Sequence, residues 1–275
     1  MGVIMNEDLQ ELHIELKDIL SFIVRVCEEN DITFYMAWGS CLGAVRHHGF
    51  IPWDDDVDIY VPYSDYEKFK QACLKEQGDT YFYQDLHTDP NYFLNFAKVR
   101  KNHTTSMTEA EKHIDMHWGI GVDIFPLFEY DCGQIRKGDH IRLKIMKKIA
   151  FLPYFKAMKQ GIAQKVLAAF FKITGYKFRD RQFSKLFAKI EKKGNYYMDI
   201  EDYEVYPMEF EKKVFDEGLE LPFEDLTVKV PVDYDHYLTT VYGSNYMEVP
   251  KKGSKDYFSH EGVIIDCKKG FENYR

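Results

Sequence analysis

Asp54, Asp55, Asp56 and Asp58 place four aspartates within five positions, and an apolar run, Ile59-Tyr60-Val61, follows directly. The run has the composition of a buried strand, so dense negative charge abuts a segment that belongs in a core. If Asp56 to Val61 is a strand, its side chains alternate. Asp56 and Asp58 then share one face, while Val57, Ile59 and Val61 share the other. Two carboxylates held side by side repel each other unless a cation sits between them. Hard oxygen ligands of this kind suit Mg²⁺ or Mn²⁺, which bind through few carboxylates together with substrate phosphates. A solvated acidic turn is the competing reading of the same run.

The neighbouring residues favour the first reading. Ile32 to Trp38 reads as a buried strand, Gly39-Ser40 interrupts it, and "CLGAVRHH" reads as a short helix stopped by Gly49. Ser40 is thereby expected where a strand gives way to a helix, a place where backbone N–H groups hold phosphate. A further carboxylate, Asp123, sits in the apolar stretch "GVDIF" between Val122 and Ile124. It is either a strand-edge residue or, with Asp56 and Asp58 on adjacent strands, the third ligand of a metal site for phosphoryl or nucleotidyl transfer.

Leu9, Leu12, Leu16, Ile19, Leu20, Ile23 and Cys27 recur at helical spacing and predict an amphipathic helix ending near Asn30. Tyr63 to Gln77 reads as a helix capped by Ser64. "TYFYQD" and "NYFLNFAKVRKNHTTSM" read as strands, as does "HWGIGVDIFPLFEY", which Pro126 is expected to close. After Gly133 the pattern is helical for some sixty residues, with a cap at Asp180 and a stop at Gly194. "LTVKVPV" predicts a strand and Tyr234 to Tyr242 a helical turn. Strands and helices mix without regular βαβ alternation, which predicts an α+β fold with a helical insertion. The expected organisation is a catalytic core over 1–133, a basic helical lobe over 134–194 and a C-terminal part, 195–275, that completes the core.

Composition narrows the function. Hydrophobic residues make up 45% of the 275-residue chain and aromatics 16%, enough for a packed core. A net charge of -9 argues against nucleic-acid binding. That charge is unevenly placed: Arg136 to Lys193 carries 17 Lys/Arg against 3 Asp/Glu. The lobe is therefore read either as a basic solvated surface or as a peripheral contact for anionic membrane, with Ile145, Met146, Ile149, Leu167, Phe170, Phe171, Phe183 and Phe187 supplying apolar residues. Five cysteines without a CxxC pair predict reduced thiols. The start lacks a basic region followed by an apolar one, and no apolar run approaches a spanning length, so a cytoplasmic location is expected.

"GSCLGAVRHHGFIPWDDDVDI" resembles the signature of the LicD family, which includes bacterial phosphorylcholine transferases and the fukutin-related proteins. "FAKVRKNHTT" (Phe96 to Thr105), "GVDIFPL" (Gly121 to Leu127) and "YLTTVYGSNYMEVP" (Tyr237 to Pro250) are similar to its later blocks. The resemblance implies a nucleotidyltransferase-like mixed sheet core. It also implies transfer of a phospho-alcohol, phosphocholine foremost, from a CDP-linked donor to a sugar hydroxyl of a cell-surface glycan or teichoic acid precursor, with release of CMP. By this resemblance Asp56, Asp58 and Asp123 hold the divalent metal, and Gly39 and Ser40 lie at the donor phosphates. Lys98, Arg100 and Arg46 neutralise the diphosphate, unless they are ion-paired with the aspartates. Asp123 or Asp54 takes the acceptor's proton. A lipid-linked acceptor would place the protein at the inner face of the membrane.

The last block departs from the family's pattern of paired prolines and an arginine before a histidine. It reads "VPKKGSKDYFSH", so Lys251, Lys252 and His260 match only approximately, and His260 is either a substrate contact or structural. Two other functions fit the same residues. One is a nucleotidyltransferase that adds NMP to a small molecule and releases pyrophosphate. The other is a non-catalytic glycan- or nucleotide-binding protein. Forty-four Phe, Tyr and Trp residues make an aromatic cage for choline available without specifying one.

Overall fold

The computed structural model describes residues 6–150, 162–200, 209–251 and 262–275. Helix α1 (Asn6–Glu29) leads, followed by β1 (Tyr35–Met36), α2 (Trp38–His47), β2 (Asp58–Pro62) and α3 (Tyr63–Glu76). Strands β3 (Tyr81–Gln84), β4 (Ala97–Lys101), β5 (Thr105–Thr108) and β6 (Gly121–Tyr130) come next, then helices α4 (Lys137–Ala150) and α5 (Ile162–Ile190). The chain continues through β7 (Tyr196–Asp199), β8 (Glu209–Glu211), β9 (Leu219–Phe223), β10 (Leu226–Val230), α6 (Tyr234–Tyr242) and β11 (Val263–Asp266).

One seven-stranded mixed sheet carries the fold, in the order β1-β2-β6-β4-β3, with β7 on β6 and β8 on β7. Only β2 and β6 run parallel, while the other pairs in this sheet are antiparallel. Helix α1 lays Leu12, Leu16, Ile19, Leu20 and Ile23 against the sheet and α3, each 2% exposed or less. Each such burial contributes roughly 1.5–3 kcal/mol relative to exposure, so this helix is a large part of the core. The mixture of helices with a predominantly antiparallel sheet accords with the α+β expectation.

Helices α4 and α5 lie in the chain between β6 and β7, two strands that pair directly, Leu127 with Asp199 through Tyr130 with Tyr196. They cover their own apolar cluster, which includes Phe128, Tyr130, Leu143, Phe183, Leu186 and Ile190. Arg179 of α5 is fully buried and donates to the Tyr92 carbonyl at 2.6 Å and to the Pro90 carbonyl, tying the helix to the segment before β4. Burial pulls its pKa down to about 10, against the opposing pull of Asp89.

Several boundaries differ from expectation. The strand read over Ile32 to Trp38 shortens to Tyr35–Met36, and Gly39-Ser40 lies inside α2 rather than before it. Trp38 opens that helix at φ 37°, a region costly for a bulky residue. It is held there by the Tyr237 hydroxyl, 2.9 Å from the Trp38 N–H. Pro62, not Ser64, precedes α3, and α5 runs through Asp180 without a cap. Pro126 does not close β6. On that edge β4 pairs as far as Ile124 and β7 begins at Leu127, so the proline falls between two partners, where a missing N–H breaks no ladder bond.

Candidate active site

The parallel pairing of β2 and β6 sets Asp58 opposite Asp123, and the antiparallel pairing of β4 and β6 sets Lys98 opposite the same Asp123. Neighbours in register share a face, so Asp58, Asp123 and Lys98 form a row across three strands. The Lys98 ammonium closes on Asp123 Oδ1 at 2.5 Å. Asp58 is fixed through its backbone: its N–H donates to Ser40 Oγ at 2.8 Å, and its carbonyl accepts from the Ala37 N–H at 2.9 Å. Ser40 is 4% exposed, so its side chain is an anchor for Asp58.

The strand begins at Asp58, which leaves Asp56 in the preceding loop rather than on the strand face expected for it. That loop is also held. The Asp54 N–H donates to the Ile51 carbonyl at 2.9 Å, and the His13 ring nitrogen Nε2 lies 2.7 Å from the Asp54 carbonyl. Asp54, Asp55 and Asp56 can each offer a carboxylate oxygen within 4.8 Å of the others, the one such acidic group among the described residues. The trio brought into mutual reach is therefore 54–56 rather than Asp56, Asp58 and Asp123, and Asp55 is a member that alternation along a strand hides.

Electrostatics join the loop to the row. Burial, reinforced by Asp56, Asp123 and Asp54, pushes the Asp58 pKa well above the carboxylate range, and Lys98 only partly opposes it. Such a setting makes Asp58 a weaker acid than an ordinary carboxylate, and added positive charge would favour its ionised form. The donor set consists of hard carboxylate oxygens with too little cationic charge of its own. It fits a divalent metal of the Mg²⁺ or Mn²⁺ kind.

The other expected residues divide. Gly39 lies in the first turn of α2, where a Cβ would come within 2.9 Å of Asp54 Oδ2, so the acidic side chain packs closely against this turn. The same point is 3.9 Å from the Tyr242 hydroxyl, which reaches the site from α6 and was not anticipated from sequence. Burial, with Tyr237, Asp54 and Asp58 nearby, pushes the Tyr242 pKa up. Arg46 lies near enough to Asp54 and Tyr242 to feel their charge, and it also has a structural task. Its guanidinium donates to the carbonyls of Tyr246 (2.7 Å) and Glu248 (3.1 Å), docking the chain after α6 onto α2. Arg100 is 4% exposed and donates to Gln84 and to the Gly119 carbonyl at 2.5 Å. Lys251 is exposed, and Lys252 and His260 lie outside the described residues.

With this geometry in hand, known proteins give a consistent comparison. The family model described as "LicD/FKTN/FKRP, nucleotidyltransferase domain" matches residues 31–150, a span that holds the acidic loop, Asp58, Lys98 and Asp123. The lipopolysaccharide cholinephosphotransferase LicD of Haemophilus influenzae is 24% identical over 269 residues, 94% of this chain and 98% of that protein. An uncharacterized protein of Rickettsia prowazekii is 29% identical over 39% of this chain and 42% of its own length. The ribitol 5-phosphate transferase FKRP of Homo sapiens is 35% identical over 63 residues, 23% of this chain and 13% of that one. The domain match and the near full-length relative together show that residues 31–150 are similar to the LicD-type domain and that the protein is an enzyme of the phosphotransferase type.

Proposed function

We propose that the protein transfers phosphocholine, or a closely related phospho-alcohol, from a CDP-linked donor to a sugar hydroxyl of a cell-surface glycan and releases CMP. The observation that carries this reading is the row Asp58–Asp123–Lys98 beside the 54–56 loop, with three carboxylates acting on Asp58 and a single ammonium opposing them. The Haemophilus relative, similar along nearly its whole length, supports choline as the alcohol and a lipopolysaccharide sugar as the acceptor. On this reading the mixed sheet is a nucleotidyltransferase-like core, and helices α4 and α5 are a lobe inserted into it.

A few carboxylates of the cluster Asp54, Asp55, Asp56, Asp58 and Asp123, together with donor phosphates, would hold the divalent cation, Mg²⁺ or Mn²⁺. When bound, it supplies charge neutralisation at the transferring phosphoryl group and the leaving CMP. Lys98 adds a positive charge that the sheet keeps in line with Asp58 and Asp123. Gly39 and Ser40 set the first turn of α2, whose leading N–H groups are suited to phosphate oxygens. Ser40 and Ala37 keep the Asp58 backbone from moving. The acceptor hydroxyl gives its proton to a carboxylate of the same cluster, Asp54 or Asp123.

No helix among the described residues is long and apolar enough to cross a membrane. A lipid-linked acceptor would still bring the protein to a bilayer, and α4 supports that reading. Ile141 and Ile145, one helical turn apart, are 58% and 52% exposed, and Arg142, Lys144 and Lys148 stand exposed beside them. We therefore place the enzyme at the cytoplasmic face of the membrane, in peripheral contact.

The test is product analysis. Purified protein is incubated with CDP-choline, CDP-ribitol, CDP-glycerol or CDP-ethanolamine and a glycan acceptor, with and without Mg²⁺. Metal-dependent CMP release, greatest with CDP-choline, is expected. Release of pyrophosphate from a nucleoside triphosphate instead would overturn the reading.

A further inference from the structure

Phe96 and Lys98 lie two residues apart at the start of β4, and Phe96 forms a wall of a cavity of about 290 Å³ between α3, the loop after β3 and helix α5. The cavity is ringed by Tyr63, Tyr66, Tyr83, Phe96, Phe183 and Phe187. Three carboxylates, Glu67, Asp85 and Asp180, share the lining with Lys70 and His87. Lys70 is committed to Asp85 at 2.5 Å, and His87 Nε2 lies 3.0 Å from Asp180. Tyr83 is 1% exposed, and its buried hydroxyl has no hydrogen-bond partner among the described residues.

These walls select a chemistry. Aromatic faces attract a cation without needing hydrogen bonds from it, and carboxylates at the rim add to the attraction. A methylated ammonium, permanently charged and apolar on its surface, suits both. A polyol would meet mostly ring carbon and lose its hydrogen bonds to water. The distance also suits one short ligand: two residues of strand span about 7 Å, and the Lys98 ammonium lies 5.7 Å from the Phe96 ring centre.

We propose that this cavity holds the cationic head of the phospho-alcohol while its phosphate lies at Lys98 and the acidic row, and that helix α5 selects the donor by completing the cavity. The proposal rests on the function read above and deepens it. Asp180, Phe183, Ser184 and Phe187 all come from the inserted helix. The lobe, whose sequence matches no sharp motif, thereby gains a role in specificity.

Calorimetric titration of choline chloride into the metal-free, full-length protein tests the head-group site without turnover. Saturable binding is expected that glycerol and ribitol do not reproduce. Phe187→Leu removes a ring, and Ser184→Phe fills the cavity from an exposed position on α5. Each should weaken choline binding about ten-fold, and the second does so without deleting any core contact. Asp58→Asn should lose turnover and keep choline binding. Choline binding that is absent from the wild type, matched by ribitol or indifferent to both variants overturns the proposal, even where transfer from CDP donors stands. Choline binding lost in both variants, in a protein that turns over no CDP donor, leaves the cavity assignment standing and overturns the reaction instead.

Discussion

Asp58 and Asp123 face each other in register across the one parallel strand pair of the sheet, β2 and β6. An antiparallel neighbour would need only a short turn, whereas this pair is joined through α3, β3, β4 and β5. The two carboxylates are therefore distant in sequence and rigidly adjacent in space. Burial and three neighbouring carboxylates raise the Asp58 pKa, which gives the site a pH signature. A group whose pKa is raised on folding stabilises the fold below its unfolded value, about 4 for aspartate. It loses that contribution as pH rises through the folded value. Metal-free wild-type protein should therefore lose melting temperature relative to Asp58→Asn as pH climbs from about 4 toward neutrality. Mg²⁺ should restore the wild type and leave the variant unmoved. Parallel melting curves for the two proteins at every pH, with no response to Mg²⁺, would remove the metal site.

Turnover provides the second check on the acids. Asp58→Asn and Asp123→Asn each delete one charge from a donor set that matches Mg²⁺ chemistry. CMP release should fall by orders of magnitude while the circular dichroism spectrum stays the same. Chelation by EDTA should mimic the substitutions and be reversed by added Mg²⁺. Near-normal release from either purified variant would argue against the assignment.

Lys98 and Arg100 share a face of β4 but should behave oppositely. Lys98 meets Asp123 in a half-buried ion pair, so Lys98→Met is expected to weaken donor binding with a small change in melting temperature. Arg100 is buried on Gln84 and the Gly119 carbonyl, and Arg100→Ala leaves both without a donor. That substitution should cost about 2–4 kcal/mol of stability, with donor affinity of the folded protein unchanged. Thermal melts paired with donor titrations separate the two, and the reverse pattern would restore Arg100 to the diphosphate.

Ser40 distinguishes positioning from binding. Its hydroxyl accepts the Asp58 N–H in a buried setting, so Ser40→Ala should cost about 1–2 kcal/mol and lower kcat with little effect on KM for the donor. A hydroxyl that instead touched donor phosphates would raise KM. Steady-state kinetics at saturating Mg²⁺ decides between them.

What could be read from the sequence was whatever local pattern decides. The apolar face of α1 and the turn from Tyr234 to Tyr242 follow from spacing alone, and the acidic run marks the site by composition. The failures are long-range. Trp38 belongs to a helix because Tyr237, 199 residues away, holds its N–H. Pro126 survives inside β6 because two partner strands meet at that point. Arg100 spends its guanidinium on Gln84 and the Gly119 carbonyl, whereas Lys98, opposite Gln84 in register, closes on Asp123 instead. Tyr242 arrives at Asp54 through the docking of α6, which leaves no mark near either residue.

The exposed side of α4 yields the last prediction. Ile141 and Ile145 together present an apolar ridge among exposed basic residues, an arrangement that anionic bilayers bind through both burial and charge. Each nearby Lys or Arg contributes on the order of 1 kcal/mol at such a surface, and salt screens it over a Debye length of about 10 Å at 0.1 M. The protein should therefore co-sediment with vesicles containing phosphatidylglycerol at low salt and release as salt rises. Lys144, Lys147 and Lys148 changed together to Glu should abolish sedimentation, and Ile141→Ser with Ile145→Ser should weaken it at every salt concentration. Lys156, another basic residue of this segment, lies outside the described residues and is left unchanged. CMP release to a soluble acceptor should be untouched in both variants, since neither reaches the acidic row. Wild-type protein that stays in the supernatant even at low salt would show that the ridge and its charges serve only the lobe itself.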